Sequence, residues 1–450
     1  MKTIGFWGNT NNYPFMIALA FKCKGYEIEF IVDSSNKLNR PEFRYPDYLN
    51  NYPDWITDVS PFDLFSVSNP ISVDKLDVIK KKFENCDVIF LNGFSIRFDK
   101  FFNKKHVSIL TGSDLTNLAD YKYAESLMEL YLNQLEQMGK LTIGSEESFF
   151  LKKHARLFRV FRVFYKIFGL KIINDKSWFM PRNYIYNVFY LLCYKSWLYS
   201  EIEKQQNSIK NSVCYIYAPL GLIKDGDALL KEIDANIKKR VLGLMVDESL
   251  TNYIPPCKNK IIRVFNVARF NWVLHKAIER VDFSQLDMKG NDIMIKGLGL
   301  FYRKHKIPLN VVFVKKGNDI NETISLLKQE GIDHFVTWKN ELTQSEVYQE
   351  YINADIVCDQ FAQSVVSMGG LDAMAIGRPL IANARSEIYE NILGEKTQIC
   401  NAKTPEEVSE WLEKLVFNEQ FRIEKGLKSR EFVMKHFSSR SVVKRLESYF

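Results

Sequence analysis

The chain has 450 residues, long enough for two or three domains with cores of their own. Apolar residues at 46% and charged residues at 26% exclude a disordered or collagen-like chain. A net charge of +7 favours anionic partners without naming one, and 14% aromatic residues suit cores, membrane interfaces and sugar-binding surfaces alike.

Residues 2–8 (KTIGFWG) read as a strand, Asn9 to Asn12 as a turn, and Pro14 to Lys24 as an apolar-periodic helix stopped by Gly25. The strand YEIEFIV follows. Strand, polar loop, helix, strand is the opening of a parallel α/β sheet. DVIFL (87–91) and Val107–Leu110 add further strands.

The middle changes character. In LKKHARLFRVFRVFYKIFGL (151–170), Lys152, Arg156, Arg159, Arg162 and Lys166 share one helical stripe, and Leu157, Phe161, Phe164 and Phe168 the opposite one. With the tyrosine-rich run NYIYNVFYLLCYKSWLY (183–199), this predicts a helical, aromatic-rich insertion over about 145–210. Its cationic face and Phe-dominated face favour the headgroup layer of an anionic membrane over packing on the protein's own sheet.

The α/β pattern returns after Pro255-Pro256 with KIIRVFNV (260–267), NVVFV (310–314), HFVTW (334–338), ADIVCD (354–359) and PLIA (379–382). The expected fold class is therefore α/β, with two Rossmann-like domains facing a cleft: 1–255, carrying the insertion, and 256–434.

Several chemistries lack support. Cysteines at 23, 86, 193, 214, 257, 358 and 400 are odd in number and dispersed, as expected of reduced thiols. There is no signal-peptide pattern and no uncharged run long enough to span a bilayer, which predicts a cytoplasmic chain that touches the inner membrane face. No P-loop, G-x-S-x-G or H-E-x-x-H motif occurs, and the six histidines show no ligand pairing, so no metal site is expected. Nucleic-acid binding has only a slight positive excess behind it and is not expected.

The informative region is 261–385. Arg269 closes the expected strand IIRVFNVAR, and Lys289-Gly290-Asn291-Asp292 opens a helix. Two fixed cations suit a leaving diphosphate. Further on, a strand ends at Asp359, and Gly369-Gly370 precedes a helix whose N-terminus can receive a phosphate. Asp372, one turn inside, can accept from a ribose diol. Taken singly, these are also the features of a plain helix–strand unit with a tight Gly-Gly turn.

In combination, Arg269, KGND at 289–292 and LDAMAIGRP at 371–379 resemble the second domain of the retaining, GT-B fold nucleotide-sugar glycosyltransferases of glycosyltransferase family 4. The resemblance covers roughly 120 residues. It implies transfer of a sugar from a nucleoside diphosphate to a glycan or lipid-linked acceptor with retained configuration and no metal or other cofactor. Arg269 and Lys289 are then catalytic, with Gly290, Gln360, Ser364, Gly369, Gly370 and Asp372 on the donor side. The family's Glu-x7-Glu pair is altered: Asp372 stands at the second position and Ser364 at the first, leaving Asp359 to supply the acid from a shifted position. Residues 270–288 look inserted.

In the first half, the glycine turn from Gly5 to Gly8 with Asn9 is similar to the loop facing the donor phosphates, and His106 and Gly112-Ser113-Asp114 resemble an acceptor-side segment. His106, after two lysines, otherwise reads as a surface residue, and Asp114 as the N-cap of LTNLADYKYAESL. Residues 435–450 are similar to terminal helices that return to the first domain. The composition resembles bacterial surface-polysaccharide or lipopolysaccharide machinery. An epimerase of sugar nucleotides, a non-catalytic subunit on the same fold, and an oligomer all stay open.

Overall fold

The computed structural model describes residues 2–49, 51–61, 70–138, 182–257, 259–274, 288–362 and 366–450. The basic stretch 151–170 and Ser364 lie outside the described residues, as does most of 270–288.

The first half runs β1 (Thr3–Trp7), α1 (Tyr13–Cys23), β2 (Glu27–Val32), β3 (Ile56–Asp58), α2 (Pro70–Phe83), β4 (Val88–Asn92), β5 (Lys105–Ile109), α3 (Tyr121–Met138), α4 (Arg182–Asn211), β6 (Cys214–Ile216), α5 (Lys224–Glu232) and β7 (Arg240–Val241). Its seven strands are ordered β3-β2-β1-β4-β5-β6-β7, and β1 pairs in parallel with both β2 and β4. The tyrosine-rich run belongs to α4, a 30-residue helix.

The second half runs β8 (Arg263–Asn266), α6 (Asn291–His305), β9 (Asn310–Val314), α7 (Ile320–Glu330), β10 (Val336–Lys339), α8 (Gln344–Asn353), β11 (Ile356–Cys358), α9 (Met368–Ile376), β12 (Leu380–Ala382), α10 (Ser386–Leu393), β13 (Cys400–Asn401), α11 (Pro405–Phe417), α12 (Glu419–Phe437) and α13 (Ser439–Glu447). The strand order is β10-β9-β8-β11-β12-β13, and β8 pairs in parallel with β9 and β11. In each sheet the order reverses beside the first strand of that half, which is where α/β sheets hold ligands, at the C-terminal strand ends.

Contacts divide the chain into two compact units, Met1–Ala18 with Lys22–Tyr215 and Ala228–Lys239, and Leu19–Phe21 with Ile216–Asp227 and Arg240–Phe450. Residues 435–450 thus group with the second unit.

Period-two alternation builds the second unit's core. Phe265, Val312, Val357 and Leu380 enter one cluster with Tyr351, Met374 and Phe432. Their chain neighbours Val264, Val311, Ile356 and Ile381 enter another with Leu298, Phe301 and Leu412. Successive strand residues point to opposite faces, so helices must cover both. Each such buried side chain contributes about 2 kcal/mol. On one face α9 and α12 meet backbone to backbone: a Cβ on Gly426 would stand 2.2 Å from Gly377 O.

Candidate functional site

In the second unit, Lys289 is seated through its main chain. Its N–H donates to Asn271 O at 2.7 Å, and its C=O accepts from Phe361 N at 2.7 Å and Ala362 N at 3.3 Å. Gly290 follows at φ +63° as the N-cap of α6, and a Cβ there would lie 2.6 Å from Ala362 N. Only glycine combines that dihedral with that approach. The Lys-Gly loop is thereby brought to Asp359 and Gln360, which follow β11.

Asp359 is buried, and Ser367 N donates to its Oδ2 at 3.3 Å. Burial raises its pKa, against the opposing pull of the Ser367 hydrogen bonds and the Lys289 charge. Its carboxylate sits beneath the start of α9: a Cβ on Gly370 would stand 2.9 Å from Asp359 Oδ2, and one on Gly369 2.8 Å from the Tyr351 hydroxyl. The glycine pair lies inside the first turn of α9 rather than before it, because Ser367 is the N-cap and accepts from Gly370 N at 2.9 Å. The N–H groups of Met368 and Gly369 open the helix and have no acceptor within it.

Asp372 lies deeper in α9, buried, with the Tyr348 hydroxyl donating to it at 3.2 Å. Gln360 is half-buried, and its C=O accepts from Asn383 N at 3.0 Å. Arg269 does not close a strand. β8 stops at Asn266, whose Nδ2 donates to Ala268 O at 3.3 Å as the chain turns, and Arg269 is exposed in the loop that also carries Asn271. Lys289, Gly290, Asp359, Gln360, Gly369 and Gly370 are therefore gathered at one sheet edge, with Arg269 on an adjoining loop.

In the first unit the glycines divide their work. Gly8, at φ +90°, lies over the end of β4, where a Cβ would be 2.1 Å from Asn92 O. Gly5 is not part of that turn: it stands inside β1, where a Cβ would be 2.8 Å from the Phe83 ring. Asn9 is buried. Its Oδ1 accepts from Phe15 N at 3.1 Å, and its Nδ2 donates to Asn12 Oδ1 at 2.8 Å and Asn39 O at 2.9 Å.

Asp114 and His106 are not neighbours. Asp114 is buried past the C-terminal end of β5, accepting from Thr111 N at 2.9 Å and Asn92 Nδ2 at 3.0 Å. It belongs to a one-turn helix, Ser113–Thr116, and does not cap α3, which starts at Tyr121. His106 is not a surface residue. It is buried near the N-terminal end of β5, with Nε2 2.9 Å from Ser208 O and 3.1 Å from Ser208 Oγ on α4. Burial lowers its pKa and favours the neutral ring.

Two polar residues at this edge escaped the motif reading. Asn92 joins three loops: its Oδ1 accepts from Thr10 N at 2.8 Å, and its Nδ2 donates to Ile109 O at 2.9 Å as well as to Asp114. Asp33 follows β2 directly, a strand-end acid visible in EIEFIVD, and accepts from Trp7 Nε1 at 2.9 Å. Burial pushes its carboxyl up to about 6 from 3.8. A raised pKa means that the folded state binds the proton more firmly. The stabilisation is complete below the unfolded value near 3.8 and is lost as pH rises through about 6. A shift of this size corresponds to ~3 kcal/mol. Asp33→Asn keeps the acceptor and removes the titration, so the mutant should gain ~2 kcal/mol on wild type between pH 4 and pH 7. Urea titrations at both pH values test this, and an unchanged gap would show that Asp33 ionises normally.

Among the described residues no group of three His, Cys, Asp or Glu side chains could hold a metal ion, and no helix is long and apolar enough to cross a membrane. A hollow of about 500 Å³ opens among Lys80, Lys81, Phe83, Phe102 and Lys104, and none of the candidate residues lines it.

No protein-family model and no curated protein matches the chain. Solved structures match at the level of fold: two parallel-sheet α/β units in this order define the GT-B fold of glycosyltransferases. A sucrose-phosphate synthase from Thermosynechococcus elongatus superposes with a TM-score of 0.55 at 11% identity, covering 100% of this chain and 98% of its own. HepE of Anabaena, solved with UDP and glucose, gives 0.55 at 9% identity over 100% and 99% of the two chains. A glycosyltransferase from Rickettsia africae gives 0.55 at 12% identity over 100% and 97%.

Proposed function

We propose that the chain is a glycosyltransferase that moves a sugar from a nucleoside diphosphate to a glycan or lipid-linked acceptor in bacterial surface-polysaccharide or lipopolysaccharide synthesis. The observation that carries this reading is the seating of Lys289 against the loop after β11, next to the opening turn of α9, at the ligand edge of the second sheet. A cation, a glycine-lined helix N-terminus and the GT-B fold together suit a sugar-linked diphosphate. HepE, with that fold, was solved with UDP-glucose.

In this reading the bond from the sugar's anomeric carbon to the diphosphate breaks as the acceptor oxygen bonds to the same carbon on the same face. The acceptor proton passes to the departing phosphate oxygen. Lys289 and Arg269 stabilise the charge that develops there, and no metal is needed. Asp372 would reach the ribose only after its Tyr348 hydrogen bond gives way, and Asp359 acts from beneath α9. Asp114, with Asn92, shapes the acceptor side in the first unit, and His106 serves packing. The stretch 151–170 supplies the attachment to an anionic membrane surface on the cytoplasmic side.

A thermal-shift panel of UDP, GDP, CMP and ADP without metal, on wild type and Lys289→Ala, tests the donor site. At ~100 times Kd, binding stabilises the native state by ~2.7 kcal/mol. One nucleotide should raise Tm in wild type and fail to do so in the variant. No shift with any nucleotide would instead favour a non-catalytic subunit on this fold.

A further inference from the structure

The geometry points to Asn383 as a positioning residue for Lys289, a role that rests on the donor-site reading above. Asn383 follows β12 and is 9% exposed. Its Nδ2 donates to Phe361 O at 3.2 Å and to Ala362 O at 2.8 Å, and its backbone N–H donates to Gln360 O at 3.0 Å. The orientation of the amide follows from its partners: turning it over would set Oδ1 against two carbonyl oxygens, none of which carries a proton. Its Oδ1 is buried without a hydrogen-bond partner among the described residues, so the side chain contributes there by donation.

The residues that Asn383 holds by their C=O groups are the ones that hold Lys289 by their N–H groups. The peptide units of Phe361 and Ala362 thus lie between the carboxamide and the lysine. On the far side, Lys289 N donates to Asn271 O at 2.7 Å, and Asn271 Oδ1 accepts from Asn318 N at 2.9 Å. One chain of hydrogen bonds ties the loops after β12, β11, β8 and β9 together, with the Lys289 main chain inside it. Because Gly290 leaves no slack against Ala362, a shift of the 360–362 loop carries Lys289 with it.

The test titrates UDP, GDP, CMP and ADP into wild type, Asn383→Asp, Asn383→Ala, Lys289→Ala and the double variants, with folding verified by circular dichroism. Asn383→Asp keeps the shape and loses the donor, while Asn383→Ala avoids facing a carboxylate toward carbonyls should the first variant fail to fold. Both should weaken the nucleotide that wild type binds by about tenfold. In the Lys289→Ala background the same substitutions should add less than about twofold, since the lysine through which they act is gone. Binding within twofold of wild type, or effects that multiply in the double variants, would overturn the inference. If Lys289→Ala abolishes binding while both Asn383 variants bind normally, only the positioning role falls. If wild type binds none of the four nucleotides, the donor-site reading falls with it.

Discussion

Lys289→Ala should lower turnover at least about a hundredfold with the fold intact, and Arg269→Ala should do the same. A donor placed where charge develops on a leaving group contributes ~3–4 kcal/mol to the transition state. The folded state should tolerate both changes. The hydrogen bonds that seat residue 289 come from its own N–H and C=O, which alanine retains, and Arg269 is exposed. Removing the lysine also withdraws a charge that lowers the Asp359 pKa, so that carboxyl should rise further in the variant. Single-turnover transfer from the donor identified by thermal shift is the measurement. A loss below tenfold in both variants would dismiss this pair as the diphosphate clamp.

Arg378→Ala should cost the fold about 4 kcal/mol or more without touching the proposed chemistry. Arg378 is completely buried, yet among the described residues no carboxylate hydrogen-bonds to it. Its guanidinium donates to Tyr351 O at 3.0 Å, Ile352 O at 2.8 Å and Ile254 O at 2.9 Å. The first two carbonyls end α8, where the helix carries its negative pole. Burial lowers the Arg378 pKa, but a guanidinium remains charged at neutral pH. Hydrogen bonds to a charged group contribute about 1.5–3 kcal/mol each, and alanine would remove three of them and leave a cavity. Arg378→Lys reaches fewer of them and should lose about half as much. Guanidinium denaturation of the three proteins decides it: equal midpoints for wild type and Arg378→Ala would mean that water serves those carbonyls.

Arg378 shows where sequence reading stops. Between Gly377 and Pro379 it looks like an exposed turn residue, and nothing local says that α8 ends against it. The second half was legible where short apolar runs stand between turns: NVVFV spans the same residues as β9, and ADIVCD and PLIA contain β11 and β12. β3, β6, β7 and β13 have two or three residues each, and none was foreseen. The Lys-Gly loop and the helix of LDAMAIGRP were readable as motifs. The burial of His106 under α4, and the hold of Asn92 on Asp114, depend on partners distant in the chain that no spacing announces.

Main-chain bonds that seat Lys289 are indifferent to what its side chain carries, and this opens the position to synthesis. Lys289→Cys, alkylated with 2-bromoethylamine in the folded protein, would regain a primary amine on a thioether stem and with it the lost turnover. Cys23 and Cys257 are exposed and, together with Cys193, would have to be replaced first. Burial holds the Cys86, Cys214 and Cys400 thiols up at about 12, protonated and slow toward the reagent. Amines of other lengths and basicities could then be installed one at a time, grading the cation at the proposed donor site without changing a single backbone contact.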